Sequence, residues 1–242
     1  WCMQTGYGRR EIADAVSQQI MTLSYATSFT VINNREVELA ERIAAKTPGD
    51  LNRIYFTTGG STAVDSALRL CQLASNIKGQ PHRKHILTRE KAYHGSTYLS
   101  ASITGKERDK TAMDIMRDGI HFLSAPCHFY HPEFSTEAEF CDFLVDELEQ
   151  KILELGPENI MCFIAEPILA SGGVIVPPTD YNYRCWQMVK KHEITYIADE
   201  VVTAFGRLGH WFSSEKVFGI VPDIIIFAKG VTSGYIPMGG YA

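Results

Sequence analysis

A lysine and an aspartate each stand directly after a short apolar run of the sequence. Lys229 follows Ile224 to Ala228, and Asp199 follows Tyr196 to Ala198. A lysine at the end of a buried strand either extends to solvent or is held in a site, where desolvation favours the neutral amine that attacks a carbonyl. A carboxylate in such a position binds a metal, acts as an acid or base, or neutralises a buried cation. Taken singly, each residue is as readily structural as functional.

A glycine-rich segment is the third feature that could do chemistry. Gly59-Gly60-Ser61-Thr62 runs directly into a predicted helix, so its N–H groups would face an anion at the positive end of the helix dipole. The segment lacks both GxxxxGK[ST] and GxGxxG, and neither a nucleoside triphosphate nor a dinucleotide is indicated. It predicts a phosphate cup, although a glycine turn with Ser61 as helix N-cap is at least as common.

Together these features match the needs of one cofactor. A pyridoxal phosphate (PLP) site requires a lysine for a Schiff base, a carboxylate on the pyridine nitrogen, a phosphate cup and a residue covering the ring. The sequence offers Lys229, Asp199, Gly60 to Thr62, and Tyr93 for these four tasks. Each follows a predicted strand, and ligands gather at the carboxyl ends of parallel strands.

Short apolar runs of four to six residues alternate with helical patterns along most of the chain. The predicted strands are Arg53–Thr57, His85–Thr88, His121–Ser124, Met161–Ala165, Thr195–Ala198 and Ile224–Ala228. The predicted helices are Arg10–Tyr25, Glu36–Lys46, Ser61–Ser75, Glu137–Leu155 and Asp180–His192. This alternation predicts an α/β fold with three αβα layers, in which a mostly parallel sheet carries helices on both faces.

Composition narrows the class of protein. The 242 residues are 45% hydrophobic and 21% charged, with a formal net charge of −5 and no local basic cluster. A soluble globular protein is expected, with neither nucleic acid nor membrane as a partner. Six scattered cysteines without a CxxC pair favour reduced thiols and a cytoplasmic location. The chain starts at Trp1 and stops at Ala242 in an apolar stretch, and we expect a segment of something longer.

Other chemistry-bearing patterns are weaker. His82-x-x-His85 and His128-x-x-His131 lack further ligands at metal spacing, so surface or loop histidines are expected and no metal site. Ser213 stands three residues before a lysine, as in one class of acyl-transfer enzymes, at the frequency of chance. Asp199-Glu200 is a poor glycosidase pair because adjacent strand residues point to opposite faces.

Five segments carry a resemblance that runs in order along the whole chain. They are Phe56 to Asp65, Tyr93-His94-Gly95, Ala165-Glu166-Pro167, Asp199 to Arg207, and Phe227 to Gly230. These segments resemble those of the class III aminotransferases, within the fold type I superfamily of PLP enzymes. The resemblance implies that residues 1–242 form the PLP-binding large domain, with the N- and C-terminal parts of the small domain absent.

The resemblance also implies roles for individual residues. Lys229 resembles the lysine that holds the cofactor as an internal aldimine and moves the substrate proton, and Asp199 the carboxylate on the pyridine nitrogen. Tyr93 resembles the aromatic stacked on the ring, with His94 beside it in the cofactor site, and Val201 the residue on the other face. The remaining matches are Gly60, Ser61 and Thr62 in the phosphate cup, Glu166 on the substrate side of the ring, and Trp1 in the substrate pocket.

The implied activity is ping-pong transamination from a primary amine or ω-amino acid to a keto acid. Trp1-Cys2, followed by Gly6 to Arg9, is similar to ω-amino acid:pyruvate transaminases, which favours pyruvate as acceptor. The family implies a homodimer or a dimer of dimers, with a partner threonine at the phosphate and a substrate arginine in the missing C-terminal part. An aminomutase or decarboxylase on the same scaffold, or a PLP-binding sensor without turnover, are the alternatives.

Overall fold

The strands form a single mixed sheet in the computed structural model, which describes residues 1–27 and 29–242. The sheet order is β1-β7-β6-β5-β4-β2-β3, and the five strands from β6 to β3 are mutually parallel. Strand β7 is antiparallel to both of its neighbours, β1 and β6. The strand bounds are β1 Tyr55–Thr57, β2 His85–Arg89, β3 Ile120–Leu123, β4 Ile160–Ala165, β5 Thr195–Asp199, β6 Ile224–Phe227 and β7 Gly239–Tyr241.

Helices cover both faces of this sheet. The helix bounds are α1 Arg10–Thr22, α2 Asn34–Ala44, α3 Gly60–Ile77, α4 Tyr98–Ser102, α5 Glu137–Leu155, α6 Tyr181–Lys191 and α7 Ser214–Phe218. Leu68 of α3 packs with Ile197 and other residues of one sheet face. Leu144 of α5 packs with Phe163 and other residues of the opposite face. The three-layer αβα architecture predicted from the sequence is therefore confirmed.

Helix α5 has the bounds predicted from its apolar spacing. Thr136 accepts from the Glu139 backbone N–H, and the Glu139 carboxylate accepts from the Thr136 N–H, so a capping box fixes the start of the helix. Gly156 follows its last residue with a φ of 79°, a conformation that glycine adopts without strain. The capping residues at both ends of α5 therefore give the same helix bounds as the spacing of its buried apolar residues.

The edge of the sheet differs from the sequence expectation. The run Arg53–Thr57 was predicted as a buried strand, but β1 covers only its last three residues and lies at the end of the sheet. Tyr55 is 56% exposed there. Strand β7, which separates β1 from β6, carries two glycines and has no apolar run that would predict it. The short helices α4 and α7 were also not predicted.

Among the described residues, no helix is both long and apolar enough to cross a membrane. All six cysteines are free thiols. Helix α1 buries none of its residues in this chain.

Candidate active site

Sheet order brings the strand-end residues together. Strands β6, β5, β4 and β2 are parallel neighbours, so their carboxyl ends meet at one edge of the sheet. Lys229 lies just beyond β6, Asp199 ends β5, and Glu166 directly follows β4. Tyr93 and His94 lie in the loop after β2. At least one chemically active group therefore lies at the carboxyl end of each of these four strands.

These groups line one cavity of about 270 Å³. Its lining, drawn from the described residues, includes every predicted site residue except Thr62. Gly95, Ser171 and Val202 also line it and were not predicted as site residues. Each follows a predicted residue within a few positions, on the loops after β2, β4 and β5, so loop proximity is the signal that could have found them.

Asp199 is the anionic floor of the cavity and is only 3% exposed. Its Oδ2 lies 2.7 Å from His94 Nδ1, and because a carboxylate only accepts, His94 donates. Its Oδ1 accepts from the Val201 backbone N–H at 3.2 Å. The other ring nitrogen of His94 lies 3.2 Å from Thr88 Oγ1, on the strand beneath. A buried chain of hydrogen bonds therefore fixes the orientation of the carboxylate.

Glu166 is the second buried carboxylate of the cavity, at 4% exposure. Its Oε1 accepts from the Tyr93 backbone N–H at 2.8 Å, and its Oε2 accepts from the Ala170 N–H at 3.3 Å. Burial raises the pKa of Glu166 to about 7, with the His94 side chain lowering that pKa and the nearby Asp199 raising it. Glu166 thus connects the loop that carries Tyr93 to the loop after β4. Its carboxyl titrates near neutral pH.

The start of α3 forms an anion cradle with one difference from the expected cup. Gly60 and Ser61 line the cavity, and their backbone N–H groups belong to the first helical turn. Thr62 instead turns its hydroxyl to the Gly59 carbonyl, at 2.9 Å. A Cβ on Gly95, whose φ is 137°, would lie 2.5 Å from Ser61 Oγ. The cradle is therefore closed by backbone, and only glycine allows this approach.

Lys229 enters the cavity from a constrained backbone. Its φ of 43° lies in the left-handed region, which a side chain rarely adopts, at the start of a 3-10 turn over Lys229–Val231. The side chain is half-buried and lines the cavity with Asp199 and Val201. Trp1 lies at the same cavity and is 57% exposed. Backbone strain at functional residues is common, since the surrounding fold must hold them in place.

Glu200, next to Asp199, serves a separate network. Its fully buried carboxylate accepts from the backbone N–H and hydroxyl groups of both Ser213 and Ser214, and from the Thr203 hydroxyl. It therefore fastens both ends of the loop that begins at Val201. Ser213, the residue of the acyl-transfer pattern, donates its hydroxyl to Glu200 and is not available as a nucleophile.

The histidine pairs are also separate. His85 Nδ1 lies 3.0 Å from His121 Nε2, and burial lowers the pKa of His121. His128 Nε2 lies 3.0 Å from the Phe134 carbonyl, and His131 Nδ1 lies 3.0 Å from a Glu133 carboxylate oxygen. Over residues 1–27 and 29–242, no group of three or more His, Cys, Asp or Glu residues is arranged to hold a metal ion.

Comparison with known proteins agrees with this fold. The model of the family "Aminotransferase class-III" matches residues 1–241. The chain is 41% identical over 241 residues to a putrescine–pyruvate aminotransferase of Pseudomonas aeruginosa, covering 99% of this chain and 53% of that protein. It is 36% identical over 245 residues to a diaminobutyrate–2-oxoglutarate transaminase of Halomonas elongata, covering 99% and 52%.

A solved structure supports the same assignment. The crystal structure of an (S)-enantioselective ω-transaminase from Thermomicrobium roseum superimposes with a TM-score of 0.94 at 39% identity, covering 98% of this chain and 53% of that one. The chain has the fold type I architecture and belongs to the class III aminotransferase family. It spans about half the length of the curated relatives it matches.

Proposed function

We propose that the protein to which this chain belongs is a PLP-dependent transaminase. It moves an amino group from a primary amine or ω-amino acid to a keto acid, with pyruvate as the acceptor. The observation that carries the proposal is the meeting of Lys229, Asp199 and the α3 N-terminus in one cavity. The putrescine–pyruvate relative supports the choice of pyruvate.

The residues present fit the cofactor in three ways. The half-buried Lys229 offers an amine for a covalent link to an aldehyde. Asp199 offers a buried carboxylate for a protonated ring nitrogen, which such a cation would neutralise. Gly60 and Ser61 offer backbone N–H groups to a phosphate, in a cradle that a Cβ on Gly95 would fill. When bound, PLP would supply an electron sink for the carbanion formed at the substrate carbon.

In this proposal each side chain has a defined task. The Lys229 amine would take the proton from the substrate carbon as general base. Asp199 would keep a proton on the ring nitrogen of the cofactor, and the His94 hydrogen bond holds its carboxylate in position. Tyr93, Val201 and Trp1 line the cavity. Tyr93 and Val201 would hold opposite faces of the cofactor ring, and Trp1 would line the substrate side.

Glu166 and Thr62 have indirect tasks. Glu166 orients Tyr93 by accepting a hydrogen bond from its backbone N–H. The pKa of about 7 leaves Glu166 partly protonated at neutral pH. Thr62 would offer a phosphate only its backbone N–H in the first turn of α3, because its hydroxyl donates to the Gly59 carbonyl.

We also propose that the protein works as a homodimer or a dimer of dimers in the cytoplasm. Leu70, Leu73 and Ile77 of α3 are 41%, 55% and 76% exposed and form an apolar row that a second copy would cover. The six free thiols support a reducing compartment. Light scattering of the full-length protein tests the assembly, and a monomer at micromolar concentration would contradict it.

The function is tested with the full-length protein loaded with PLP. A panel of taurine, β-alanine, diamines and arylalkylamines is offered with pyruvate, and alanine formation is measured. At least one amine should give alanine, and the Lys229→Ala variant should give none. Carbon dioxide release or intramolecular amino migration without alanine would instead identify a decarboxylase or an aminomutase. Cofactor binding without turnover of any amine would identify a sensor.

A further inference from the structure

A second lysine lies against the wall of the active-site cavity. The Lys106 side chain is only 13% exposed. Its Nζ lies 3.0 Å from Ser171 Oγ and 5.4 Å from the centroid of the Tyr93 ring. Both Ser171 and Tyr93 line the cavity. One largely buried ammonium therefore contacts two of the side chains that line the cavity.

Lys106 reaches this wall from the outside. It lines a neighbouring groove of about 780 Å³, together with Ser171 and the glycines that follow it. Ser171 is common to the groove and the cavity, whereas Tyr93 belongs to the cavity. The ammonium thus stands behind the wall and acts on the cavity through the ring and the hydroxyl.

The counter-charge of Lys106 is Asp109. Asp109 Oδ2 is 2.7 Å from Lys106 Nζ, and Asp109 Oδ1 also accepts from Arg108 Nε at 3.0 Å. The hydrogen bond from Lys106 is the main reason that the pKa of Asp109 is lowered, so this carboxyl stays ionised. Within the described part of the chain, Asp109 lines neither the cavity nor the groove. Of this ion pair, the ammonium is therefore the member that contacts two cavity-lining side chains, Ser171 and Tyr93.

Lys106 also holds the two wall residues in place. A cation over an aromatic face is attracted to the ring, so the ammonium restrains Tyr93 in the orientation seen here. The same ammonium donates to Ser171, whose hydroxyl proton is thereby directed away from Lys106. A substrate group near this wall would therefore find the Ser171 hydroxyl as a donor, with the Lys106 ammonium hydrogen-bonded to its oxygen.

We propose that Lys106 is a specificity-determining positioning residue, which favours substrates whose far end is a carboxylate over substrates whose far end is an ammonium. The inference rests on the proposed transaminase function and names the charge class of its substrate. For two unit charges about 8 Å apart, Coulomb's law at the dielectric constant of water gives an interaction that changes a binding constant by about twofold. Because the two substrate classes have opposite charges, their ratio should change by about fivefold or more.

The test uses two amines of equal length and opposite charge at the far end, 4-aminobutanoate and 1,4-diaminobutane. The full-length holoenzyme and its Lys106→Met variant are assayed for kcat/KM with each amine and a common acceptor. The preference for 4-aminobutanoate should fall at least about fivefold in Lys106→Met, chiefly through KM. Lys106→Arg should restore it, because the charge is kept.

Arg108→Met is the matched control. Arg108 binds the same aspartate, but its side chain is 82% exposed. Arg108→Met also removes one positive charge from this loop, but it should leave the substrate preference unchanged. An equal loss for both amines in Lys106→Met would mark Lys106 as merely structural and overturn the inference, as would an unchanged ratio.

Binding of butanoate, measured by calorimetry on the same proteins, gives a readout that does not need turnover. Lys106→Met should weaken butanoate binding by about twofold to threefold relative to wild type, and Arg108→Met should not. If the wild-type protein transaminates no amine at all, the proposed function fails, and butanoate binding still decides the role of Lys106. Equal butanoate affinity in all three proteins would refute it.

Discussion

Asp199→Asn separates a catalytic role of the buried carboxylate from a structural one. The amide oxygen can still accept from the Val201 N–H, while the new NH₂ group faces His94 Nδ1. The imidazole can accept this donor if its proton moves to Nε2, which lies 3.2 Å from Thr88 Oγ1. The Thr88 hydroxyl is then free to donate to the Ile103 carbonyl, also at 3.2 Å. Every hydrogen bond is retained, so the free energy of unfolding should change by less than about 1 kcal/mol.

Activity should respond much more strongly than stability. Asparagine removes the negative charge that would keep the pyridine nitrogen protonated, and breaking a buried charge pair costs about 3–5 kcal/mol. Even if only about 3 kcal/mol of this is felt in the transition state, kcat falls by about a hundredfold or more. PLP binding should weaken less, because Lys229 and the phosphate cradle remain.

The assay measures half-reaction rates and the melting temperature on one Asp199→Asn preparation of the full-length protein. Slow half-reactions with a near-normal melting temperature are expected. Asp199→Ala is the comparison, since it leaves the His94 donor unpaired and should lower the free energy of unfolding by about 1–3 kcal/mol. Normal half-reaction rates in Asp199→Asn would refute the catalytic assignment.

Three further substitutions test other parts of the site. Burial raises the pKa of Glu166 from an ordinary 4.5 to about 7, so the native state holds a proton that the unfolded chain has lost, and stability falls as pH rises across that range. In Glu166→Gln, the free energy of unfolding measured with denaturant should fall by about 3 kcal/mol less across this pH range than in the wild type. An unchanged pH profile would contradict the raised pKa of Glu166. Glu200→Gln places an amide donor against buried donors and should cost about 3 kcal/mol of stability, whereas the exposed Glu215→Gln should not. Gly95→Ala would push the loop from Ser61, so PLP affinity measured by equilibrium dialysis should fall about tenfold or more; an unchanged affinity would show that the cradle tolerates a Cβ.

The strand-end chemistry was predictable because parallel strands impose a simple geometry. Lys229 and Asp199 follow apolar runs, and neighbouring parallel strands place such residues at the same edge. Helix α5 was predictable for a similar reason, since its apolar spacing and capping box agree. Strand β7 was not, because its glycines carry no strand signal and its pairing depends on strands distant in sequence.

The parts of the site that escaped prediction depend on tertiary contacts or on local competition. Thr62 fits a phosphate cup by type, but its hydroxyl bonds the carbonyl three residues earlier, as helix-start threonines can. Glu200 reaches donors thirteen and fourteen residues away, which only the folded loop brings together. Lys106 lies in a polar segment and meets Ser171 across 65 residues of sequence.

Lys229 is the residue that we propose to carry the cofactor covalently. The full-length protein loaded with PLP is reduced with borohydride, digested, and its peptides are mapped by mass spectrometry. We expect a pyridoxyl group on Lys229, and on no lysine at all in the Lys229→Ala variant, although that variant can still bind PLP noncovalently. A pyridoxyl group on a different lysine of the wild-type protein would contradict it.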